Sequence, residues 1–361
     1  KSGILILPDE TPLGSALEIE RALEIDTKSP RHDILGAYGL AREVSYATSS
    51  RLTPLKNMLR PSPTFSVKVN RARARRVDLL LVSTPEAAPP QHTEALLEAA
   101  GINRVHPLID LLNLTMVATG QPLHAYDADT VSELTVTFAK GKTAFTALNG
   151  KTYTLKAGDL IIAQKQEILA LAGIIGAKNS SVNVNTKRFL IEFASFPEDA
   201  IAFTANRLNI VTASSFRFRR GSDPENIDRA LAYLVPILQT AGATIEHYYS
   251  SSSLIPVRTL SFNSNALNQL LGTQYSERAL KKALNGVGFV VAGRKIILPS
   301  FREDVTNHHD LAEEVARSVG YDVLPEAALT LPSRPVINNE RYQLSERIRT
   351  LAINLGFREV I

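Results

Sequence analysis

The sequence predicts an α+β protein of several domains, in which a mixed α/β domain is followed by a small winged-helix-like domain. Three observations lead to this prediction. The chain has 361 residues, more than one ordinary domain needs. From about Phe65, strand patterns alternate with helix patterns. The pattern changes again after the serine run Ser250 to Ser253 and Pro256. The predicted domains are 1–52, 53–252, 253–327 and 335–361.

The first 52 residues have the patterns of a small structural domain. GILIL, from Gly3 to Leu7, predicts a short buried strand, and ALEIDTKSPRHD contains a second strand followed by a loop. ILGAYGLAREVSYAT has apolar residues at helical spacing and predicts a helix. The prolines between Thr53 and Pro63 are typical of a linker. The segment 1–52 is therefore predicted to be the remainder of an N-terminal structural domain.

The segment 53–252 contains short strands and amphipathic helices. HTEALLEAAG predicts a helix that ends at Gly101. Asn149 and Gly150 predict a hairpin turn between two strands. NIDRALAYLVPILQTAG predicts a helix that Pro236 kinks or restarts. Strands are predicted in SVKVNRARARR, ELTVTFA, KTAFTAL, KTYTL, DLIIAQ and RFLIEFASF. This mixture is typical of an α/β domain.

The next segment has a different order of elements. RTLSF predicts a strand, SNALNQLLG and SERALKKALNGVG predict two helices, FVVAGRKIILPS predicts a hairpin, and DLAEEVARSVG predicts a third helix. Two helices, a hairpin and another helix in about 70 residues are typical of a winged-helix-like unit. The final GFREVI has the pattern of a strand start, and the ends of the chain lead us to expect a fragment.

Composition excludes several classes of protein. The chain has no cysteine, which excludes disulfides, thiolate metal sites and a cysteine nucleophile. No apolar run reaches the roughly 20 residues of a membrane span, and the N-terminal residues lack the long apolar region of a signal peptide. A net charge of +4 permits contact with a polyanion but does not require one. We therefore expect a cytoplasmic protein.

Two polar residues are candidates for chemistry. His124 lies in GQPLHAYD, which predicts a loop shaped by Gly and Pro, although a single histidine often has a structural role. Glu192 interrupts the predicted buried strand RFLIEFASF, and a buried carboxylate needs a hydrogen-bond donor or a cation. Either a substrate hydroxyl or an internal ion pair with Arg217 could meet that need.

An acidic cluster lies in DVTNHHDLAEEVAR. Asp310, Glu313 and Glu314 share one face of the predicted helix, and Asp304 lies six residues before Asp310. Unpaired like charges at this spacing repel. They are tolerated at the positive N-terminus of a helix or around a hard cation. The residues alone leave both interpretations open.

Five segments occur in an order that is specific to one family. LPDETPLG with IDTKSPRHDILGAYGLAREV forms the first, and GQPLHAYD forms the second. ALAGIIGAKNSSVNVNTKRFLIEFASF, TASSFRFRRGSDP and LPSFREDVTNHHDLAEEVARSVGYDVLP complete the series. Together they resemble the beta subunits of bacterial-type phenylalanyl-tRNA synthetases over almost the whole chain, which is far more specific than a single short motif.

The resemblance implies a part of an enzyme with two alpha and two beta chains, which joins phenylalanine to tRNA with ATP. In that family the alpha chain holds the synthetic site, where ATP is used. The segment 53–252 would be an editing domain that hydrolyses mischarged Tyr-tRNA-Phe, and 335–361 would begin a truncated pseudo-catalytic domain. The implied partners are the alpha subunit and tRNA-Phe. The fragment alone is not expected to aminoacylate tRNA.

The resemblance also implies an editing pocket. His124 takes the place of the editing histidine, and Glu192 takes the place of the acid that contacts the tyrosine hydroxyl. Gly176 occupies a position where a side chain would crowd the ligand. The implied catalytic residues are His124, Glu192, Asn113, Gly176, Thr212 and Ser214. The chain departs from the family pattern at Leu112 (Thr in the family), Ser214 (Ala) and Arg219 (Glu).

Two further implications concern ions and RNA. The four acids match positions to which the family assigns a magnesium role shared with the alpha subunit, and Mg²⁺ usually takes only one or two carboxylates plus waters. Those positions are Asp304, Asp310, Glu313 and Glu314. The run VKVNRARARR predicts either a solvated edge strand or a track for tRNA phosphates. In that strand Lys68 and Asn70 share one face, and Arg71, Arg73 and Arg75 share the other.

Two functions of different classes remain open. The first is an editing hydrolase, in which His124 orients a water or acts as a weak base and Glu192 selects the tyrosine hydroxyl. The second is a non-catalytic RNA-binding and assembly module with a decayed pocket. A deacylation assay on Tyr-tRNA distinguishes them.

Overall fold

The computed structural model describes residues 31–84, 92–251, 256–326 and 339–360, together with Ile25 and Thr27. The strand predicted at Gly3 to Leu7 lies outside these residues, and so does most of the strand predicted in ALEID. The chain divides into two compact units, Lys1–Val323 and Leu324–Ile361. The fold class is α+β, as predicted.

The helices of the described residues are mostly one to four turns long. A short 3-10 helix lies at His32–Ile34 and another at Tyr321–Val323. The α-helices are α1 (Ala37–Thr48), α2 (Thr93–Ala99), α3 (Pro107–Thr119), α4 (Glu198–Leu208), α5 (Ala213–Phe218), α6 (Asn226–Thr240), α7 (Ser264–Leu271), α8 (Glu277–Gly286), α9 (His308–Val319) and α10 (Glu340–Asn354).

The strands of the described residues form four sheets. They are β1 (Lys68–Asn70), β2 (Arg76–Ser83), β3 (Leu123–Asp127), β4 (Glu133–Phe138), β5 (Thr143–Thr146), β6 (Thr152–Leu155), β7 (Leu160–Gln164), β8 (Glu167–Leu171), β9 (Ile175–Gly176), β10 (Arg188–Ser195), β11 (Thr244–Ser250), β12 (Thr259–Ser261), β13 (Val290–Ala292) and β14 (Lys295–Ile297).

A four-stranded sheet with the order β11-β2-β10-β3 lies at the centre of the larger domain. Its strand β2 has the sequence RVDLLLVS and is buried almost throughout, as expected of a strand covered on both faces. On one face, Leu80 and Ile191 share a core with α3 and α6. On the other face, Leu79 and Leu190 share a core with the five-stranded sheet. Alternation along β10 therefore places Glu192 on the same face as Leu190.

The second sheet has five strands, in the order β1-β4-β7-β8-β9. The pair β1 and β4 is parallel, and the remaining neighbours are antiparallel. The strands β5 and β6 form a separate hairpin, in which Thr146 pairs with Thr152. Gly150 in its turn has a φ of +77°, a left-handed conformation that glycine adopts without steric cost. The predicted Asn149-Gly150 turn is confirmed.

The segment after Pro256 forms the predicted helix, helix, hairpin, helix arrangement. The sheet β12-β14-β13 packs with α7, α8 and α9 around Leu267, Leu280, Phe289 and Leu311. Ser276 caps α8, because its side chain accepts a hydrogen bond from the N–H of Ala279. The winged-helix-like prediction is confirmed by this arrangement, whereas the exact domain boundaries stay predictions.

Four helices were not predicted, namely α3, α4, α5 and α10. The start of α3 does carry a local signal. The ring Nδ1 of His106 accepts a hydrogen bond from the N–H of Leu108, and Pro107 occupies the first helical position. Gly120, with a φ of +80°, ends the helix. The helix α6 continues through Pro236, so the predicted restart is wrong, whereas the predicted kink stays a prediction. Its buried residues on both sides of the proline stabilise the helical course.

Two strand predictions were wrong. The run SVKVNRARARR is not one strand, because β1 ends at Asn70, a turn follows, and β2 begins at Arg76. Arg76 is buried and donates hydrogen bonds to Asp78 and Asp228, so it does not belong to a solvated face. At the other end of the chain, residues 356–360 of the GFREVI segment form no strand.

The second unit consists, in its described part, of α10 and the residues after it. Several apolar side chains of this helix are exposed, among them Leu344, Ile348 and Leu351. Among the described residues, no helix has both the length and the apolar character needed to cross a bilayer.

Candidate active site

A small cavity of about 50 Å³ lies between the two larger sheets of the first unit. The four-stranded sheet supplies His124, Tyr126 and Glu192 to its wall. The start of β3, the residue after β10, the strands β7 to β9, the loop before β9 and the helix α5 supply the rest. These other lining residues are Pro122, Leu123, Ile162, Ala170, Leu171, Gly173, Ile174, Ile175, Gly176, Phe196, Ser214 and Phe218.

Strand pairing brings the two principal candidates together. His124 on β3 and Glu192 on β10 are direct partners in the antiparallel register. Directly paired residues project their side chains from the same face of a sheet. His124 was predicted to lie in a loop, but it lies on a strand, and this strand is what places it beside Glu192.

Glu192 is buried with only 5% of its surface exposed, and its partner is a tyrosine. The hydroxyl of Tyr126 donates a hydrogen bond of 2.6 Å to Oε2 of Glu192. Burial raises the pKa of Glu192 to about 7, although the Tyr126 hydrogen bond acts in the opposite direction. The ion pair with Arg217 that the sequence left open is not formed. Arg217 instead donates to the carbonyl oxygen of Ala213 at 3.0 Å.

His124 faces the cavity as a neutral imidazole. Burial lowers its pKa to about 4. Its ring stands edge-on to the Tyr126 ring, with a centroid distance of 4.6 Å. Its Nε2 is enclosed and has no hydrogen-bond partner among the described residues. A buried nitrogen of this kind has capacity for a hydrogen bond to a water or a ligand in the cavity.

Gly176 creates the space in which the His124 ring lies. A Cβ at this position would come within 2.6 Å of Cε1 and 2.8 Å of Nε2 of His124. The family resemblance implied that a side chain here would crowd a ligand. In the structure, the first group that it would displace is the imidazole itself.

Thr212 positions the loop that closes the cavity. It caps α5, because its Oγ1 accepts a hydrogen bond from the N–H of Ser215 at 3.0 Å. The same hydroxyl donates to the carbonyl oxygen of Ile174 at 2.8 Å. Ser214, in the first turn of α5, lines the cavity. These two predicted residues therefore belong to the site, Thr212 through its contacts with the loop and Ser214 directly.

Three other sequence positions lie elsewhere. Leu112 is buried in the core between α3 and the opposite face of the four-stranded sheet, and it does not line this cavity. Asn113 is on the same helix and is not among the residues that line the cavity. Arg219 follows α5 and lies near the Phe216 ring, 5.7 Å from its centroid. Asn113 therefore does not line the cavity that His124 and Glu192 line, and its role stays a prediction.

Sequence reasoning missed Tyr126 and Phe218. Tyr126 follows His124 by two residues, so a strand, unlike a loop, places both side chains on one face. The signal was present in GQPLHAYD and was missed because Gly and Pro favoured a loop. Phe218 lines the cavity from the last position of α5, a helix that was not predicted.

The acidic residues near α9 are held by arginines. Arg302 donates two hydrogen bonds to Asp304 and two to Glu314, at 2.6 to 2.9 Å. Glu314 also accepts from Arg317 at 2.7 Å. Asp304 and Glu314 are therefore compensated by arginines, whereas the helix pattern alone showed only unpaired like charges. The reason is that Arg302, outside the predicted helix, folds back onto it.

The four carboxylates as placed do not fit a magnesium ion. Asp310 completes the capping box of α9, whose N-cap is Asn307, and accepts from the N–H groups of Thr306 and Asn307. Glu313 is exposed, whereas Asp304 and Glu314 surround the guanidinium of Arg302. Among the described residues, no group of three or more His, Asp or Glu side chains could hold a metal ion. The magnesium role of these residues stays a prediction.

Two family models match the chain. The B3/4 domain matches residues 75–242, and the tRNA synthetase B5 domain matches residues 260–321. The cavity around Glu192 lies within the first match, and α9 lies within the second.

Among curated proteins, the chain is similar to beta subunits of phenylalanine–tRNA ligases. The phenylalanine–tRNA ligase beta subunit of Geobacter sulfurreducens is 32% identical over 99% of this chain and 48% of its own length. That of Shewanella oneidensis is 31% identical over 99% of this chain and 48% of its own length. The chain thus spans about half the length of the curated relatives it matches.

A solved structure also matches part of the chain. It is an N-terminal fragment of the phenylalanyl-tRNA synthetase beta subunit from Pyrococcus horikoshii, with 15% identity and a TM-score of 0.41. The match covers 81% of this chain and 85% of that fragment.

Proposed function

Because the chain belongs to the family of phenylalanine–tRNA ligase beta subunits, we propose that its cavity hydrolyses tyrosine wrongly esterified to tRNA-Phe. The observation that carries this proposal is the direct pairing of Glu192 with His124 at a cavity wall. The chain would work as part of a cytoplasmic ligase that contains an alpha subunit, uses ATP and Mg²⁺ outside this cavity, and joins phenylalanine to tRNA-Phe.

An editing site is needed because binding alone distinguishes phenylalanine from tyrosine only weakly. A pocket built for phenylalanine rejects an isostere with one added hydroxyl by only about 10²-fold. A second site that requires the hydroxyl can remove the wrong product. Glu192 makes the site require this hydroxyl, because a phenylalanine ring cannot donate a hydrogen bond to the second carboxylate oxygen of Glu192.

The reaction needs a water and a group to orient it. Water adds to the carbonyl carbon, the ester C–O bond breaks, and the ribose oxygen leaves with a proton. His124 is neutral at neutral pH and has a free Nε2, so it can hold that water or accept its proton. No cysteine is available, and hydrolysis by a positioned water needs no covalent intermediate.

The cavity must adapt to take the tyrosine ring. Its 50 Å³ accommodates waters, whereas an engineered cavity of about 150 Å³ is known to bind benzene. Ser214 and Phe218 both lie on the short helix α5, so movement of this helix would enlarge the cavity. Backbone rearrangements accompany binding in a substantial minority of complexes.

The experiment compares deacylation of Tyr-tRNA-Phe and Phe-tRNA-Phe by the purified chain. We expect faster hydrolysis of the tyrosine ester. Glu192→Ala should remove the preference for tyrosine more than it removes hydrolysis. His124→Ala should slow hydrolysis by about 10² to 10⁴ if His124 acts as a base. The proposal fails if neither this chain nor the complete ligase cleaves Tyr-tRNA-Phe.

The second candidate function is a non-catalytic RNA-binding and assembly module. The small cavity favours it, because the ring does not fit without rearrangement. On this alternative the chain binds tRNA-Phe but leaves both esters intact. If Ser214→Ala then restores hydrolysis, the added hydroxyl closes the cavity to substrate, and the editing chemistry is retained.

A further inference from the structure

The contact between Tyr126 and Glu192 joins two buried side chains of different strands. Tyr126 has no exposed surface, and Glu192 has 5%. The Tyr126 hydroxyl donates to Oε2 of Glu192 at 2.6 Å, a length typical of a strong hydrogen bond to a carboxylate. Both residues line the cavity in which we place the tyrosine ester.

The donor in this contact has the same chemistry as the proposed substrate. Tyr126 presents a phenolic hydroxyl, and so does a tyrosyl ester. A carboxylate has about four sites that accept hydrogen bonds, so Tyr126 takes part of the capacity of Glu192 and leaves the rest. When a phenylalanyl ester enters the cavity, Glu192 therefore still has one donor.

We propose that Tyr126 is a specificity-determining residue, whose hydroxyl imitates that of the substrate on Glu192 and thereby limits the preference for tyrosyl over phenylalanyl esters. This inference rests on the proposed function. Its physical basis is that Glu192 rejects the phenylalanyl ester because that ester cannot make a hydrogen bond to it. The free-energy penalty depends on how completely the buried carboxylate is then left without donors. With Tyr126 in place, the phenylalanyl ester leaves Glu192 only partly unpaired.

Replacement by phenylalanine tests the inference because it removes only the hydroxyl. In Tyr126→Phe, a phenylalanyl ester leaves the buried carboxylate with no donor from residue 126. We expect the ratio of kcat/KM for the tyrosyl ester to that for the phenylalanyl ester to rise by roughly 10-fold, in the range of a lost hydrogen bond to a charged group. An unchanged or lower ratio, with hydrolysis retained, overturns the inference.

The pH profile gives a readout that a merely structural role would not affect. The Tyr126 hydrogen bond lowers the pKa of Glu192 against the effect of burial. Removal of this hydrogen bond raises the pKa of Glu192 further. The pH at which the preference for the tyrosyl ester reaches half of its maximum should therefore be higher in Tyr126→Phe. A profile that does not move would contradict the inference.

The matched control is Tyr248→Phe. The Tyr248 hydroxyl donates to Oδ2 of Asp78 at 2.6 Å, and Tyr248 is 3% exposed. Tyr248 is not among the lining residues of the cavity. This control removes a buried hydrogen bond of the same length and kind, while Asp78 keeps other donors such as Arg76. The selectivity ratio should therefore not change. An equal rise in the control would overturn the inference.

Two additions keep the test decisive. If Tyr126→Phe does not fold, 3-fluorotyrosine placed at position 126 serves instead. Its more acidic hydroxyl donates a stronger hydrogen bond to Glu192, so it should lower the ratio of kcat/KM for the tyrosyl ester to that for the phenylalanyl ester.

If neither ester is hydrolysed, calorimetric titration with L-tyrosinamide and L-phenylalaninamide measures the same selectivity as a ratio of binding constants. A rise in the binding ratio in Tyr126→Phe supports the inference even though hydrolysis fails, whereas no rise overturns it.

Discussion

At the scale of single residues, the site depends on a carboxylate that is held in an unfavourable environment. Glu192 is enclosed by the core of the larger domain, and its hydrogen-bond partner in the structure is an uncharged tyrosine. The sequence indicated an acid in need of a donor, and this was right. It could not indicate which donor, because Tyr126 and Glu192 are 66 residues apart and meet only through strand pairing.

The raised pKa of Glu192 leads to a pH-dependent stability. Its ordinary value is 4.5 and its value in the fold is about 7, so the folded chain holds a proton that the unfolded chain releases between these values. The contribution is fully present below about pH 4.5 and is lost as the pH rises through about 7. Glu192→Gln should therefore gain stability relative to the parent chain over this window, by a few kcal/mol at most.

Urea unfolding from pH 4.5 to 8 measures this difference. The control is Glu98→Gln, which makes the same substitution at an exposed position of α2. A difference for Glu192→Gln that does not grow with pH would mean that Glu192 is not proton-linked to folding.

A second residue-scale prediction concerns Gly176. In Gly176→Ala, the added methyl group meets the ring of His124 at 2.6 Å, so the imidazole must move. Overpacking of this kind costs about 1 to 3 kcal/mol. Gly141→Ala is the control, because a Cβ at Gly141 meets nothing within 4 Å.

Thermal unfolding and deacylation measure the two effects of this change. We expect Gly176→Ala to lose stability and hydrolysis, and the double variant with His124→Ala to recover most of the stability. If the two changes were simply additive, the methyl group would be clashing with something other than His124.

At the scale of elements, the loop before β9 and the helix α5 are joined through one hydroxyl. Thr212 caps α5 and donates to the carbonyl oxygen of Ile174. Thr212→Ala should cost about 1 to 2 kcal/mol from the lost cap, with a further loss from the unpaired carbonyl. Thr212→Ser should retain most of the stability.

Ser276→Ala is the matched control for Thr212→Ala, since Ser276 caps α8 without a contact to a second loop. Chemical denaturation should show the larger loss for Thr212→Ala. Equal losses in the two variants would indicate that the Ile174 contact contributes nothing to stability.

Prediction of elements from the sequence succeeded where periodicity was strong. The strands β4 to β7 and β10, the helix α1 and the elements from β12 to α9 follow the predicted patterns. The helices α3, α4, α5 and α10 were missed, and α3 and α5 show two different reasons. Helix α3 is buried on most of its surface, so it has no polar face to mark its period. Helix α5 has only six residues and depends on its capping box for its start.

At the scale of the whole molecule, a chain of ion pairs connects α1 with the winged-helix-like domain. Arg302 binds Asp304 and Glu314, Glu314 binds Arg317, and Arg317 binds Glu43 of α1. Breaking a buried pair leaves an uncompensated charge. Arg302→Leu should therefore destabilise the first unit by about 3 to 5 kcal/mol.

The control for Arg302→Leu is Arg75→Leu. Arg75 pairs with Glu198 and Glu303, but all three side chains are partly exposed, so the loss should be about 1 kcal/mol or less. Differential scanning calorimetry of both variants measures the difference. Similar small losses would mean that the buried network is not important for stability.

The same network predicts how this chain responds to magnesium. Because Arg302 already compensates Asp304 and Glu314, neither EDTA nor millimolar Mg²⁺ should change the melting temperature of this chain. Calorimetric titration should detect no tight site. A saturable rise in melting temperature that is lost in Glu314→Gln would show that the acids bind magnesium without the alpha subunit.

The direct pairing of His124 with Glu192 has a consequence for how this protein can vary over evolution. An insertion of one residue within β10 before Glu192 would turn its carboxylate towards α3 and α6, because side chains alternate between the faces of a strand. An insertion in the turn at Gly141, between the two strands, leaves their pairing intact. Insertions and deletions among related genes should therefore accumulate in the turns between β3 and β10, while both strands keep their length.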